Sequence, residues 1–282
     1  HTLEVKAILS DGSEAHFKAL SPDEFDEKCK LTNLEGKLYQ NIRDILGDKG
    51  NQEKIRAEYP DPSNPRKNTG YALDILLAGN RFTPGGEDFN FCKLLAGAEG
   101  TLAFTTEMKV KLEPLPPKET ALVCAHFDTI DEALRANLIA LAHKPMAVEL
   151  MDDTVLNATK TNHTQAQNRF FVKGNPRAIL IAEYARETEQ ALDQATQAMI
   201  AALQAKGMGY HYPVVKGADI DKVWDLRKAG LGALANVPGD KKSTTVIEDT
   251  SVKVERLPEY IQEFQGILDK HKVDCVYYAH VG

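Results

Sequence analysis

Leu94-Leu95-Ala96-Gly97-Ala98-Glu99-Gly100-Thr101-Leu102-Ala103-Phe104-Thr105-Thr106-Glu107 passes from an apolar stretch, through a run of small residues, into a strand. Gly97, Ala98 and Gly100 carry little or no side chain, so main chain built from them can approach a ligand that larger side chains would hold off. Thr101 adds a hydroxyl that can hydrogen-bond. A Glu beside such a turn, Glu99, is commonly solvated or capping, and Gly-rich turns before strands are frequent. The segment by itself leaves two readings open: a bend that touches a ligand, and a plain turn.

Upstream, residues 2–9 alternate with the period of a strand, Ser10-Asp11-Gly12-Ser13 has the composition of a hairpin turn, and residues 14–19 give a second strand. Ser21-Pro22-Asp23-Glu24 starts a helix, with Ser as cap, Pro in the first turn and acids at the positive end of the dipole. Helical spacing runs with a break over about 23–58, and residues 59–66 form a proline-rich loop whose Arg66 and Lys67 read as loop charge. Residues 70–77 have helical spacing again, and 80–91 is a polar loop around Pro84-Gly85-Gly86. Downstream, 108–112 alternates like a strand. Pro114-Leu115-Pro116-Pro117 is then a stiff linker, which sets domains at 1–115 and 118–282.

Beyond the linker, strands are expected at 121–127, 147–150, 178–184, 210–215, 244–252 and 273–278. Helices are expected at 130–142, 152–160, 187–206, 220–234 and 257–271. Strands separated by single helices predict an α+β fold, a mainly antiparallel sheet with helices on one face.

The chain has 282 residues, a net charge of −7, 43% hydrophobic and 27% charged residues, as expected of globular domains with buried cores. Acidic residues are spread along it, which disfavours phosphate backbones and anionic lipid surfaces as partners. Cys29, Cys92, Cys124 and Cys275 are far apart and form no CxxC pair, so neither a thiolate metal site nor a disulfide scaffold is indicated. Cys124 and Cys275 read as buried strand residues, and a reducing cytoplasm is the expected setting. No stretch approaches the ~20 apolar residues that span a bilayer. The chain opens without Met and closes on Tyr277-Tyr278-Ala279-His280-Val281-Gly282, directly after an apolar strand. Both ends are expected to be cuts in a longer protein.

The opening stretch closely resembles the GSEGTLGIITE signature of FAD-linked oxidases of the vanillyl-alcohol oxidase/p-cresol methylhydroxylase (PCMH) type. Ala98 stands for Ser, Ala103 for Gly, and Phe104-Thr105 for an aliphatic pair. Arg66-Lys67-Asn68-Thr69-Gly70-Tyr71-Ala72-Leu73-Asp74 resembles the stretch that precedes this signature, and residues 5–12 resemble the family's VVLADG hairpin. The order of the three is the family's own. The resemblance implies the second subdomain of a PCMH-type FAD-binding domain. The phosphate-binding first subdomain has no counterpart before His1, so FAD is expected in the parent protein and absent or weakly held by this piece. Implied flavin-contact residues are Tyr71, Gly97, Glu99, Gly100 and Thr101.

The second half resembles the cap domain of the branch holding D-lactate dehydrogenase, the glycolate oxidase flavin subunit and D-2-hydroxyglutarate dehydrogenase. Ala147-Val148-Glu149-Leu150-Met151-Asp152 is similar to ALEFMD, Trp224-Asp225-Leu226-Arg227-Lys228-Ala229 to a W-x-x-R helix, residues 245–252 to the strand that follows, and Ala279-His280-Val281-Gly282 to the start of GHxGDGNxH. The resemblance implies a truncated cap of ferredoxin-like units. In it Arg227 grips the substrate carboxylate with a planar fork, and His280 serves catalysis as one ligand of a divalent metal such as Zn or Mn. The remaining ligands are expected beyond Gly282, leaving His280 an orphan without bound metal here; Lys228 is expected at the surface. Pro238-Gly239-Asp240 resembles the large bacterial subfamily with a fused iron–sulfur segment, which implies a downstream electron acceptor and a cytoplasmic setting, peripheral to the inner membrane.

The implied reaction is oxidation of a D-2-hydroxy acid to the 2-oxo acid by the parent, with little or no activity in the piece. Two alternatives stand beside it: a non-catalytic domain pair that binds a small carboxylate or a partner without flavin, and a flavin oxidase of aromatic alcohols or sugars.

Overall fold

A computed structural model describes residues 1–62, 64, 70–160, 162–235, 239–240, 242, 244, 246–247 and 250–282, with backbone alone at 231, 233 and 235. The chain forms two compact units, His1–Pro114 and Leu115–Gly282.

The first unit has a three-stranded antiparallel sheet, β1 (Thr2–Ile8), β2 (Glu14–Phe17) and β3 (Phe104–Val110), in the order β2-β1-β3. Alternation puts Val5, Ala7, Ala15 and Phe17 on the buried face. Helices α1 (Pro22–Cys29), α2 (Leu34–Gly47), α3 (Lys49–Glu58), α4 (Leu73–Leu77) and α5 (Cys92–Leu95) complete the unit. The capping box expected at Ser21 is present: its hydroxyl accepts from Glu24 N, and the Glu24 carboxylate accepts from Ser21 N at 2.9 Å. The core is aromatic. Phe25 meets Phe89, and Tyr39 meets Phe91, edge to face at 4.8 Å. Burial pushes the Tyr39 phenol far above its ordinary range. The third strand starts at Phe104, four residues before the expected start, because its pairing with β1 reaches back to Ile8 across a bulge.

The second unit is built on a five-stranded sheet, ordered β7-β4-β6-β5-β8, from β4 (Glu119–Phe127), β5 (Ala147–Asp152), β6 (Ala178–Arg186), β7 (Val214–Lys216) and β8 (Tyr278–His280). All four pairings are antiparallel. With α6 (Ile130–Ala142) after β4 and α9 (Glu189–Ala205) after β6, the first four strands make the βαββαβ arrangement of a ferredoxin-like unit, and β8 extends it at the β5 edge. Thr129 caps α6 and Thr188 caps α9 through their hydroxyls.

The α+β class and the antiparallel sheet are as expected, but helices cover both faces rather than one. The reason lies in β4 and β6, whose residues of either parity are apolar and need cover. Val123, Ala125, Leu180 and Ala182 pack with α6 and α9. Leu122, Cys124, Ile179 and Ile181 pack on the other side with α7 (Asp153–Ala158) and α10 (Asp219–Ala235). Gly230 allows the close approach of α10 to α7, since a Cβ there would fall 2.3 Å from Val155 Cγ1.

Three local expectations are corrected. None of the described residues of 244–252 is in a strand, and Thr245 lies outside them. The last strand is Tyr278–His280, later than expected, after α11 (Leu257–His271) and an irregular stretch. Cys275 therefore lies outside any strand and is only partly buried, whereas Cys124 is fully buried in β4. A short helix, α8 (His163–Gln167), had no counterpart in the sequence pattern. Arg66, Lys67 and Pro238 are outside the described residues.

Candidate functional site

In the first unit the expected flavin-contact residues come together. Ala98, buried, and Thr101 close a turn through Thr101 N donating to Ala98 O at 2.9 Å. Glu99 (φ 50°) and Gly100 (φ 73°) between them are both left-handed, a primed turn that glycine relieves at one of its two positions. Gly97, Glu99, Gly100 and Thr101 are exposed, and a Cβ at Gly97 or Gly100 would meet nothing within 4 Å. The bend thus presents open main chain, and nothing among the described residues requires glycine at 97. Tyr71 Oη lies 3.0 Å from Thr101 Oγ1. Thr101 Oγ1 also donates to Ala98 O at 2.6 Å; its single proton is spent there, so Tyr71 is the donor between the two hydroxyls. Tyr59, capping α3, holds this arrangement by donating from its hydroxyl to Tyr71 O at 2.8 Å.

In the second unit, the face under α10 carries a charged cluster. Val223, Leu226, Arg227 and Gly230 form the buried stripe of α10 at helical spacing. Arg227 is 8% exposed and Lys228 is exposed. Arg227 Nη2 donates to Glu149 Oε2, and Nη1 donates to Tyr278 Oη at 2.8 Å. The guanidinium also stacks on the Tyr278 ring, 4.2 Å from its centroid, and Tyr278 Oη donates back to Arg227 O at 3.1 Å. His280 Nδ1 lies 2.5 Å from the other Glu149 oxygen, Oε1.

Strand register explains the meeting. Glu149 on β5 faces His280 on β8 directly, and Met151 faces Tyr278, so Glu149, Tyr278 and His280 project from one face. Glu183, two residues past Glu149's partner on β6, is held above the usual carboxylate range, by its own burial first and then by the Glu149 charge. Arg227 and His280, far apart in sequence, are thus joined by one carboxylate. Glu149 and Tyr278 are the members that sequence reading passed over. The available signal was a Glu interrupting an apolar strand, since a buried carboxylate needs a partner.

Arg227 is less free than expected, with two nitrogens already engaged. Its Nε–H is buried and, among the described residues, has no acceptor.

A model of the family described as FAD linked oxidases, C-terminal domain, matches residues 116–282. The chain belongs to the FAD-linked oxidases. It is 28% identical, over 291 residues, to a D-2-hydroxyglutarate dehydrogenase of Pantoea ananatis, covering 100% of this chain and 28% of that protein. The same figures, over 295 residues, hold for a D-2-hydroxyglutarate dehydrogenase of Pseudomonas putida. A D-lactate dehydrogenase [cytochrome], mitochondrial, of Arabidopsis thaliana is 25% identical over 217 residues, covering 74% of this chain and 35% of its own. The chain therefore spans under a third of the length of the first two relatives. A crystal structure of p-cresol methylhydroxylase with substrate bound shows a slight likeness, at a TM-score of 0.40 and 11% identity over 81% of this chain and 36% of that one.

For this FAD-linked oxidase, the exposed main chain at Gly97–Thr101 and the hydroxyls of Tyr71 and Thr101 suit close approach of a flat ring bearing hydrogen-bonding edges. The metal fits less well. Among the described residues no group of three or more His, Cys, Asp or Glu is placed to hold an ion, and His280 offers a single nitrogen. Among the described residues no helix is long and apolar enough to cross a membrane.

Proposed function

We propose that the protein containing this chain uses FAD to oxidise a D-2-hydroxy acid of the lactate, glycolate or 2-hydroxyglutarate class to the 2-oxo acid. The observation that carries the reading is the cluster itself, a buried guanidinium and an imidazole tied to one carboxylate inside a domain of the FAD-linked oxidase family. The names of the relatives from Pantoea ananatis and Arabidopsis thaliana support the substrate class.

Arg227 binds the substrate carboxylate with the donors that Glu149 and Tyr278 leave unused, fixing which hydrogen of the reacting carbon faces the oxidant. His280 meets the hydroxyl through Nε2, the nitrogen that Glu149 does not take, and draws the hydroxyl proton as the carbon is oxidised. FAD, when bound, would supply the hydride acceptor for that oxidation. Within the first unit, Tyr71 and Thr101 offer hydroxyls, and Gly97 to Gly100 offer main chain, for holding that cofactor. The proposal extends to an electron acceptor beyond the flavin, an iron–sulfur segment of the same bacterial polypeptide, in a cytoplasmic setting at the inner membrane. Relatives more than three times this chain's length leave room for such a segment.

The test uses the full-length protein. Anaerobic addition of D-lactate, glycolate or D-2-hydroxyglutarate is expected to bleach the flavin absorbance with one of them. Arg227→Lys, which keeps the charge and loses the fork, is expected to lower kcat/KM by about 100-fold. A full-length flavoprotein that no 2-hydroxy acid bleaches removes the reaction.

A further inference from the structure

We propose that Glu149 is a positioning residue that fixes His280 in the tautomer protonated on Nδ1, with the Nε2 lone pair left for substrate, while its second oxygen anchors Arg227. The inference deepens the function proposed above and rests on it for the meaning of the lone pair.

The argument starts from the single carboxylate. Glu149 is 7% exposed and lies beside a guanidinium that is always charged. Its ionised form offers acceptors only. The 2.5 Å contact with His280 therefore requires a proton on Nδ1, and in a neutral imidazole Nε2 is then bare. Nε2 makes no hydrogen bond among the described residues, and the His280 side chain is 52% exposed.

Glu149 cannot turn to serve His280 differently. Its other oxygen is held by Arg227, and releasing it would leave a buried charge of each sign without its partner. Arg227 is in turn clamped by the Tyr278 ring and hydroxyl. One rigid group thereby sets both the direction of the imidazole and the placement of the guanidinium. This is the logic by which a carboxylate behind a histidine orients a working ring nitrogen.

The experiment uses the 282-residue chain with 15N-labelled histidine, and long-range 1H–15N spectra that distinguish a protonated from an unprotonated ring nitrogen. In the unaltered chain, His280 is expected to favour Nδ1–H over Nε2–H by at least tenfold. In Glu149→Gln the amide oxygen stays on Arg227 and the amide N–H2 turns to His280. Nδ1 becomes an acceptor, the proton moves to Nε2, and the ratio inverts. His126 is the internal control. Its Nδ1 donates to Cys124 O at 2.8 Å and its Nε2 accepts from Lys173 N at 3.2 Å, so it keeps the Nδ1–H tautomer in both proteins.

A His280 that is mainly Nε2–H in the unaltered chain overturns the proposal. So does a folded E149Q, judged by circular dichroism, with the original ratio. If E149Q does not fold, the unaltered chain decides alone. No flavin, metal or substrate enters the measurement, so a full-length protein inert to every 2-hydroxy acid removes the reaction and leaves the tautomer result standing.

Discussion

Strands β3 and β6 are both antiparallel, yet their surroundings are opposite. Every residue of β3 is exposed, including Phe104 at 71% and Met108 at 50%. Seven of the nine residues of β6 are buried. β3 lies at the edge of its sheet, and among the described residues of its unit no helix covers it; β6 is central and roofed on both sides. The difference shows two ways to build a site. The second unit draws a buried strand Glu and a buried helix Arg together with an edge-strand His whose ring is half exposed. The first offers bare main chain at the mouth of an open strand. The former gathers charged side chains, and the latter leaves main chain open.

The largest expected effect tests whether the charge cluster is a keystone of its unit. Arg227→Met leaves Glu149 buried without its cation and should lower the stability of the second unit by about 3–5 kcal/mol. Trp224, the single tryptophan, sits on α10, so denaturation followed by its fluorescence reads that unit alone. A loss below about 1 kcal/mol would show that the pair is dispensable.

The same unit should weaken in acid while the open strand's unit does not share the cause. Burial holds His126 at about 4, below its usual 6.5, since a second ring proton would confront the Lys173 N–H that Nε2 accepts. Because the folded value is the lower one, its contribution is complete above pH 6.5 and is lost as pH falls towards 4. The loss should reach up to about 3 kcal/mol. His126→Gln should flatten this part of the profile; an unchanged slope would point to another group.

Smaller effects probe the first unit. Gly100→Ala forces a Cβ onto a left-handed residue and should cost about 1 kcal/mol, read from hydrogen exchange of the Thr101 amide. Phe104→Ser on the exposed strand should change stability by under about 0.5 kcal/mol. A larger loss would mean that β3 is covered in solution.

Sequence made parts of this plain for physical reasons. Helices α6 and α11 run over the predicted residues because Thr129 with Asp131 and Glu132 announces one start, and Leu257-Pro258 the other. Arg227 and His280 were legible through their surrounding words, and their meeting was not. It depends on β5·β8 register, a long-range property that local spacing does not encode. Helices on the second face were hidden for a similar reason. A short run of apolar residues shows that a strand is buried, without showing what buries it. Glu149 is harder to read, because a Glu between apolar strand residues signals a buried carboxylate without naming its partner.

Strand β8 has only three residues, and edge strands that short open and close readily. This one is tied at both margins by side chains from distant places: the Asp152 carboxylate takes the Tyr277 N–H at 2.8 Å, and the Asn137 amide holds the Val281 carbonyl at 2.5 Å. A ribbon pinned at each end cannot unzip from either. The imidazole it carries is thereby kept opposite Glu149 through thermal motion, a fixed post on an otherwise loose margin.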